Sequence, residues 1–182
     1  MSLIAGNLGV IQRLLEAEGA LWGVCAGAAA HLYGNRRPIQ DVDLLVGKGQ
    51  LPTIVRLLQS QNKVVQFDGQ RILWRGIKVF DDLSIRDGGK TYPFTFDDRM
   101  CDTRRQMSLL GATVRVLSPE DVFVHKLVLN RGAEQNKHDL TDAQGILRRQ
   151  DLNQEYLHYR LTTMQATERL SGRLQELGIT FG

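Results

Sequence analysis

Two carboxylates one residue apart, Asp41 and Asp43, run straight into the apolar stretch Leu44-Leu45-Val46. In an extended strand, residues i and i+2 leave from the same face, about 6.6 Å apart at Cα. The two acids therefore stand side by side. Burying one face of such a strand while displaying two like charges is costly unless a cation lies against them. Hard oxygen ligands at this spacing suit Mg²⁺, which takes one or two carboxylates together with substrate phosphates. The chemistry implied is phosphoryl or nucleotidyl transfer. The plain alternative is a strand end whose acids face water.

A third acid fits the same chemistry. Alternation along 77–85 puts Ile77, Val79, Asp81, Leu83 and Ile85 on one face, and Lys78, Phe80, Asp82 and Ser84 on the other. With helices over the apolar face, Asp82 points to the open side; Asp81 stays open as the alternative. Three acids suit two divalent ions about 3.5–4 Å apart, which clamp the attacking and leaving oxygens of an in-line displacement. The third acid could equally act as general base toward an incoming hydroxyl. Lys126 lies on an otherwise apolar helical face. It either snorkels along that face or offers a point positive charge to a triphosphate.

These side chains need elements to hold them. Asn7 is placed to cap a first helix ending at Gly19, with Val10, Ile11, Leu14 and Leu15 on one face. Leu21 to Cys25 reads as a short strand. Ala26 to Gly34 reads as a small-residue turn entering a short helix, where lack of bulk lets backbone approach a strand or ligand. Asp41 to Val46 is the second strand, and Leu51 to Gln59 has helical periodicity. Val64–Phe67, Arg71–Trp74 and Ile77–Ile85 form three strand-like runs, the first two joined by the hairpin turn Asp68-Gly69-Gln70. Thr91 to Thr113 reads as irregular, and Val114 to Leu117 as a last strand. Ser118-Pro119-Glu120-Asp121 is a strong helix start. A helix from there reaches Arg131-Gly132, a second spans about Lys137 to Arg149, and a third, capped by Asp151, carries Leu157, Leu161, Met164, Leu170 and Leu174. The expectation is an α+β fold, a mixed β-sheet core over 1–117 with an α-helical C-terminal part over 118–182, the two packed as one unit.

The 182 residues are 42% hydrophobic and 24% charged, enough for one good core. No apolar run approaches the roughly 20 residues of a membrane span, and Met1-Ser2-Leu3-Ile4-Ala5-Gly6 does not read as a signal peptide. Cys25 and Cys101 lack metal-ligand spacing, as do His31, His125, His138 and His158, so reduced thiols in a cytoplasmic protein are expected. A net charge of +3 suits an anionic partner such as a nucleotide without demanding nucleic acid. His125, beside Lys126, could border a site.

Taken in order, these residues resemble the nucleotidyltransferase superfamily with the DNA polymerase β-like fold, in its small minimal, antibiotic-modifying and toxin-type branch. The family pattern is a Gly-Gly or Gly-Ser turn, a short helix, Arg-x-Thr-x-Asp-x-Asp, then a lone Asp on a later strand. Here the turn is Ala26-Gly27, the second element Arg37-x-Ile39-x-Asp41-x-Asp43, and the third Asp82-Leu83. Val114-Arg115-Val116-Leu117-Ser118-Pro119-Glu120-Asp121, Lys126-Leu127, Arg131 and the acidic pair of Lys137-His138-Asp139-Leu140-Thr141-Asp142 are similar to the family's later strand and helices. The resemblance covers about Leu21 to Leu147. It implies that Asp41, Asp43 and Asp82 hold Mg²⁺, that Gly27 and Ala28 present backbone N–H groups to phosphates, and that Lys126 and Arg37 contact the nucleotide. The implied reaction moves a nucleoside monophosphate from an NTP to a hydroxyl-bearing acceptor, which could be a small molecule, an RNA or a protein. Ala26 and Ile39 depart from the pattern, and Ile39 removes a side-chain donor near the aspartates. The competing expectation is a non-catalytic nucleotide- or partner-binding protein on the same scaffold. An RNA-binding module is disfavoured by the lack of a basic stripe interleaved with aromatics. Oligomeric state and base preference have no signature in the sequence.

Overall fold

The computed structural model describes residues 2–180, so Met1 of the N-terminal signal reading, and the outermost positions of the two expected units, lie outside the described residues. Helix α1 (Leu3–Ala17) is capped by Ser2, whose Oγ accepts from Ala5 N at 3.3 Å. Asn7, expected as the cap, instead lies within the helix, where its Nδ2 donates to Arg75 O at 3.2 Å. Strand β1 (Trp22–Cys25) runs directly into α2 (Ala26–Tyr33), followed by β2 (Val42–Val46) and α3 (Leu51–Ser60). Strands β3 (Gln66–Phe67), β4 (Arg71–Trp74) and β5 (Ile77–Phe80) come next, then a small hairpin of β6 (Ile85–Asp87) and β7 (Lys90–Tyr92). Helix α4 (Asp98–Thr103) leads to the hairpin β8 (Arg105–Leu109) and β9 (Ala112–Val116). The rest is helical: α5 (Pro119–Leu129), a 3₁₀ turn at Ala133–Gln135, α6 (Asp139–Arg149), α7 (Gln154–Thr163) and α8 (Thr167–Glu176).

The seven-stranded sheet has the order β3-β4-β5-β2-β1-β9-β8. It is mixed: β2 is parallel to β5 and antiparallel to β1, and β1 is parallel to β9. The fold is thus α+β, as expected. Val42, Leu44, Leu45 and Val46 are fully buried in the central strand, each side chain contributing about 1.5–3 kcal/mol of transfer free energy. That anchors the strand whose leading end carries the acids.

Three expected elements differ. The run 77–85 stops at Phe80, because Asp82 Oδ1 accepts from Ser84 N at 2.8 Å and Leu83 N donates to Phe94 O at 2.9 Å. These local bonds turn the chain out of the main sheet, as Asp side chains often do. The segment 91–113 holds β7, α4, β8 and the start of β9. Its edge strand β8 is mostly exposed and polar, so it lacks the alternation that marks a half-buried strand. The expected final helix is two helices, broken where Gln165 takes φ +54°, and the first is capped by Asn153, whose Oδ1 accepts from Tyr156 N at 2.9 Å.

One close approach ties the halves together. A Cβ on Gly34 would lie 2.3 Å from Gly145 O, so only glycine lets the end of α2 press against α6. Helix α5 packs on α2, α6, α7 and α8. It starts with a reciprocal cap: Ser118 Oγ accepts from Asp121 N at 3.2 Å, and Asp121 Oδ2 accepts from Ser118 N at 3.3 Å. Below it, Tyr156 O–H donates to Asp121 Oδ1 at 2.8 Å and buried Arg160 brings Nε within 2.7 Å of the same oxygen, off the hydrogen-bond line.

Candidate active site

Sheet register brings the charged residues together. Asp43 is abreast of Cys25 on β1 and of Lys78 on β5. Lys78 reaches forward to form a hydrogen-bonded ion pair with Asp41, just ahead of the strand. The pair of acids is asymmetric. Asp41, ahead of the strand, is paired with Lys78, whereas Asp43, within the strand, is partly buried and has no ion-pair partner of its own among the described residues. Burial, and then the neighbouring Asp41 charge, push the Asp43 carboxyl up to about 6, with Lys78, Lys126 and Lys137 pulling it back. For Lys78, burial opposes the charge, but the bond to Asp41 and the field of Asp43 outweigh it and hold the ammonium above its usual range.

A cavity of about 400 Å³ opens in front of this pair, bordered by Ala26, Gly27, Ala28, Arg37, Lys126 and Lys137 as well as both acids. Ala26 begins α2 at φ +52°, in the left-handed region that L-residues rarely occupy. Strain of this kind persists only where the surroundings over-determine it, and here the strand-to-helix turn does so. It places Ala26, Gly27 and Ala28, the start of α2, on the cavity wall, and an anion is favoured at a helix start. A Cβ on Gly27 would meet nothing within 4 Å, so the cavity side of that residue is open.

The opposite wall is a chain of ion pairs. Lys126 Nζ lies 2.8 Å from Asp139 Oδ1 and 2.9 Å from Asp142 Oδ2, and is 6% exposed. Arg37 Nη2 donates to both Asp142 oxygens at 2.9 and 2.8 Å, Asn35 Nδ2 donates to Asp142 at 2.6 Å, and Arg131 Nε donates to Asp139 at 2.7 Å. Burial opposes the Asp139 charge, but its bonds to Arg131 and Lys126 prevail and hold its carboxyl below the usual range. Lys126 and Arg37 thus border the cavity while bound to α6 carboxylates. Sequence reasoning had Asp139 and Asp142 only as a likeness of pattern. The available signal was Lys126 on an apolar helical face, since a buried ammonium needs a buried acid.

Asp82 and Asp81 part company. Asp81 Oδ2 accepts from Gly49 N at 2.8 Å. Asp82 lies in the loop after β5, on the wall of a second cavity of about 590 Å³ that Asp43, Lys78, Lys126 and Lys137 also line. That loop is pinned by His125, which stacks on Phe94 with ring centroids 4.2 Å apart and brings Nε2 within 3.2 Å of Leu83 O. Burial lowers the His125 pKa to about 4, so the ring is neutral at pH 7. The structure gathers Asp41, Asp43, Lys78, Gly27 and Ala28 at one mouth, with Asp82 farther along.

Among the described residues, no three His, Cys, Asp or Glu side chains are gathered to hold an ion. Asp41 and Asp43 fit one Mg²⁺ that also takes phosphate oxygens, and the place abreast of Asp43 in the neighbouring strand belongs to a lysine.

No protein-family model matches the chain, and no curated protein matches it by sequence. Solved structures do match. ANT(2'')-Ia, in a complex with adenylyl-2''-tobramycin, aligns over 92% of this chain and 99% of its own at TM-score 0.59 and 9% identity. A candidate nucleotidyltransferase from Thermotoga maritima aligns over 71% and 86% at TM-score 0.52 and 22% identity. The lincosamide antibiotic adenylyltransferase LnuA, bound to lincomycin, aligns over 78% and 94% at TM-score 0.50 and 14% identity. In its α+β fold with a mixed sheet, this chain is similar to these nucleotidyltransferases.

Proposed function

We propose that this chain is a Mg²⁺-dependent nucleotidyltransferase that moves a nucleoside monophosphate from an NTP to a hydroxyl of an acceptor. The observation that carries the reading is the placement of Asp41 and Asp43 on the wall of a basic cavity shared with the α2 N-terminus, with Asp43 also lining a larger second cavity. The triphosphate goes to the first cavity, with backbone N–H groups of Gly27 and Ala28 toward its phosphates and Arg37, Lys126, Arg131 and Lys137 supplying positive field. The acceptor goes to the second.

In the reaction, the acceptor oxygen bonds to the α-phosphorus, the bond from that phosphorus to the bridging oxygen breaks, and pyrophosphate leaves. Mg²⁺ held by Asp41 and Asp43 would neutralise charge on the phosphates. Asp82, on the acceptor side, is assigned as the third carboxylate and as the base that takes the hydroxyl proton. Positioning and electrostatics supply the rate enhancement, with no covalent intermediate. The lincomycin-bound adenylyltransferase LnuA and the complex of ANT(2'')-Ia with adenylyl-2''-tobramycin support a small-molecule acceptor, and a cytoplasmic setting fits a supply of NTP.

The test is incubation with each α-labelled NTP, Mg²⁺ and cell extract. Label should pass to an acceptor with the wild-type chain and fall at least 100-fold with Asp43→Asn, the circular dichroism spectrum unchanged. Undiminished transfer by that variant removes the assignment. The ion pair of Lys78 with Asp41 favours a second reading, a nucleotide-binding protein without turnover. Calorimetry giving NTP binding independent of Mg²⁺, with no pyrophosphate released, selects it.

A further inference from the structure

Lys78 has no counterpart in the three-carboxylate pattern, yet the sheet holds it where an ion or an ion's ligand belongs. Strand β5 is hydrogen-bonded on both sides, to β4 and to β2, so the Lys78 Cα cannot drift from its place abreast of Asp43. From there the side chain reaches Asp41 and lines both cavities. One flexible ammonium is therefore ion-paired to Asp41 and rooted abreast of Asp43, two carboxylates that are otherwise set to repel each other.

We propose that Lys78 is the resident counter-ion of the acid pair: it keeps Asp41 and Asp43 assembled in the nucleotide-free protein and holds their affinity for divalent ions low. The proposal rests on the reading of this pair as the metal end of a transfer site. Two carboxylates less one ammonium leave a single net negative charge. That is a weak lure for Mg²⁺, which gives up its water reluctantly and normally draws on phosphate oxygens as well. Lysine suits the role because its charge is compact and its stem mobile, so it can give way when a stronger ligand set arrives. A carboxylate at the same position would have the opposite effect, adding ligand and negative charge together.

The probe is Mn²⁺ alone, titrated into the full chain without nucleotide, with free ion read by electron paramagnetic resonance. The wild-type protein should show no saturable binding through low millimolar Mn²⁺. Lys78→Met, which keeps the stem and removes the charge, should bind one ion at least about ten-fold more tightly, as expected when a like charge a few ångströms away is deleted. Lys78→Arg should stay at the wild-type level. Tight wild-type binding, or equal binding by Lys78→Met and Lys78→Arg, overturns the proposal. If Lys78→Met fails to fold, the wild-type titration still decides, because saturable micromolar binding contradicts a resident counter-ion. The outcomes separate from the functional reading: these isotherms without label transfer sink the transferase and keep the counter-ion, and transfer with ion affinity indifferent to Lys78 does the reverse.

Discussion

The two walls of the smaller cavity solve the problem of charge in opposite ways. On the α5–α6 side, Lys126, Arg37 and Arg131 meet Asp139 and Asp142 in a closed chain in which both carboxylates are fully buried and multiply bonded. On the β2–β5 side, Lys78 pairs with Asp41 alone, and burial together with the Asp41 charge pushes the neighbouring Asp43 carboxyl up to about 6. The first arrangement is complete without a ligand. The second is short of positive charge, as the proposed binding of a cation and a triphosphate requires. Closed network and open acid pair are thus divided between two sides of one opening.

The sharpest way to break this comparison is to open the closed side. Asp142→Ala strips Arg37, Asn35 and Lys126 of a shared partner, leaving buried charge uncompensated, and should destabilise the protein by about 3–5 kcal/mol in urea unfolding. A loss under about 1 kcal/mol would mean that the network is slack and the contrast empty.

Next in size, and opposite in sign, is Asp43→Asn. The Asp43 carboxyl is pushed up in the folded protein, from the ordinary carboxylate range to about 6. As pH rises, the unfolded chain ionises first, so native stability falls between about pH 4 and 6 and stays reduced above. Asparagine removes that penalty, so the variant should be more stable than wild type by about 2–3 kcal/mol at pH 7.5. The gain should vanish by about pH 4. Asp139 behaves inversely: its lowered pKa contributes stability above the ordinary carboxylate pKa that is lost as pH falls through the folded value. Equal pH dependence of the Asp43→Asn variant and wild type would contradict the asymmetry.

The smallest effect concerns the turn. Ala26→Gly relieves a left-handed alanine at the price of a freer unfolded chain, and should stabilise by about 1 kcal/mol in denaturant midpoint. A destabilised variant would show that the alanine methyl contributes packing that outweighs its strain.

What the sequence disclosed follows a physical division. Asp41 and Asp43 ahead of Leu44-Leu45-Val46, and Ser118-Pro119 opening α5, were legible because strand alternation and helix capping are local and leave their mark within a few residues. The same locality misled at Asn7, a good cap whose amide is drawn instead to Arg75 O, 68 residues away. Lys78 was readable as sharing the open face, but its partnership with Asp41 depends on how β5 pairs with β2, and register between distant strands has no sequence signature. Asp121 was legible as part of a cap, while its second oxygen, tied to Tyr156 and close to Arg160, was not. Strand β8 was missed because an exposed edge strand is held by its partner and not by any apolar pattern of its own.

The link between Arg37 and Asp142 has a consequence in time. It joins residues 105 positions apart, and closing so long a loop must precede any reward from the contact, which slows folding in general. During synthesis the acid pair emerges long before α6 does. A growing chain therefore carries the carboxylates for the whole interval in which Arg37 lacks its Asp142 partner, and the ion-paired wall opposite them closes only when α6 docks.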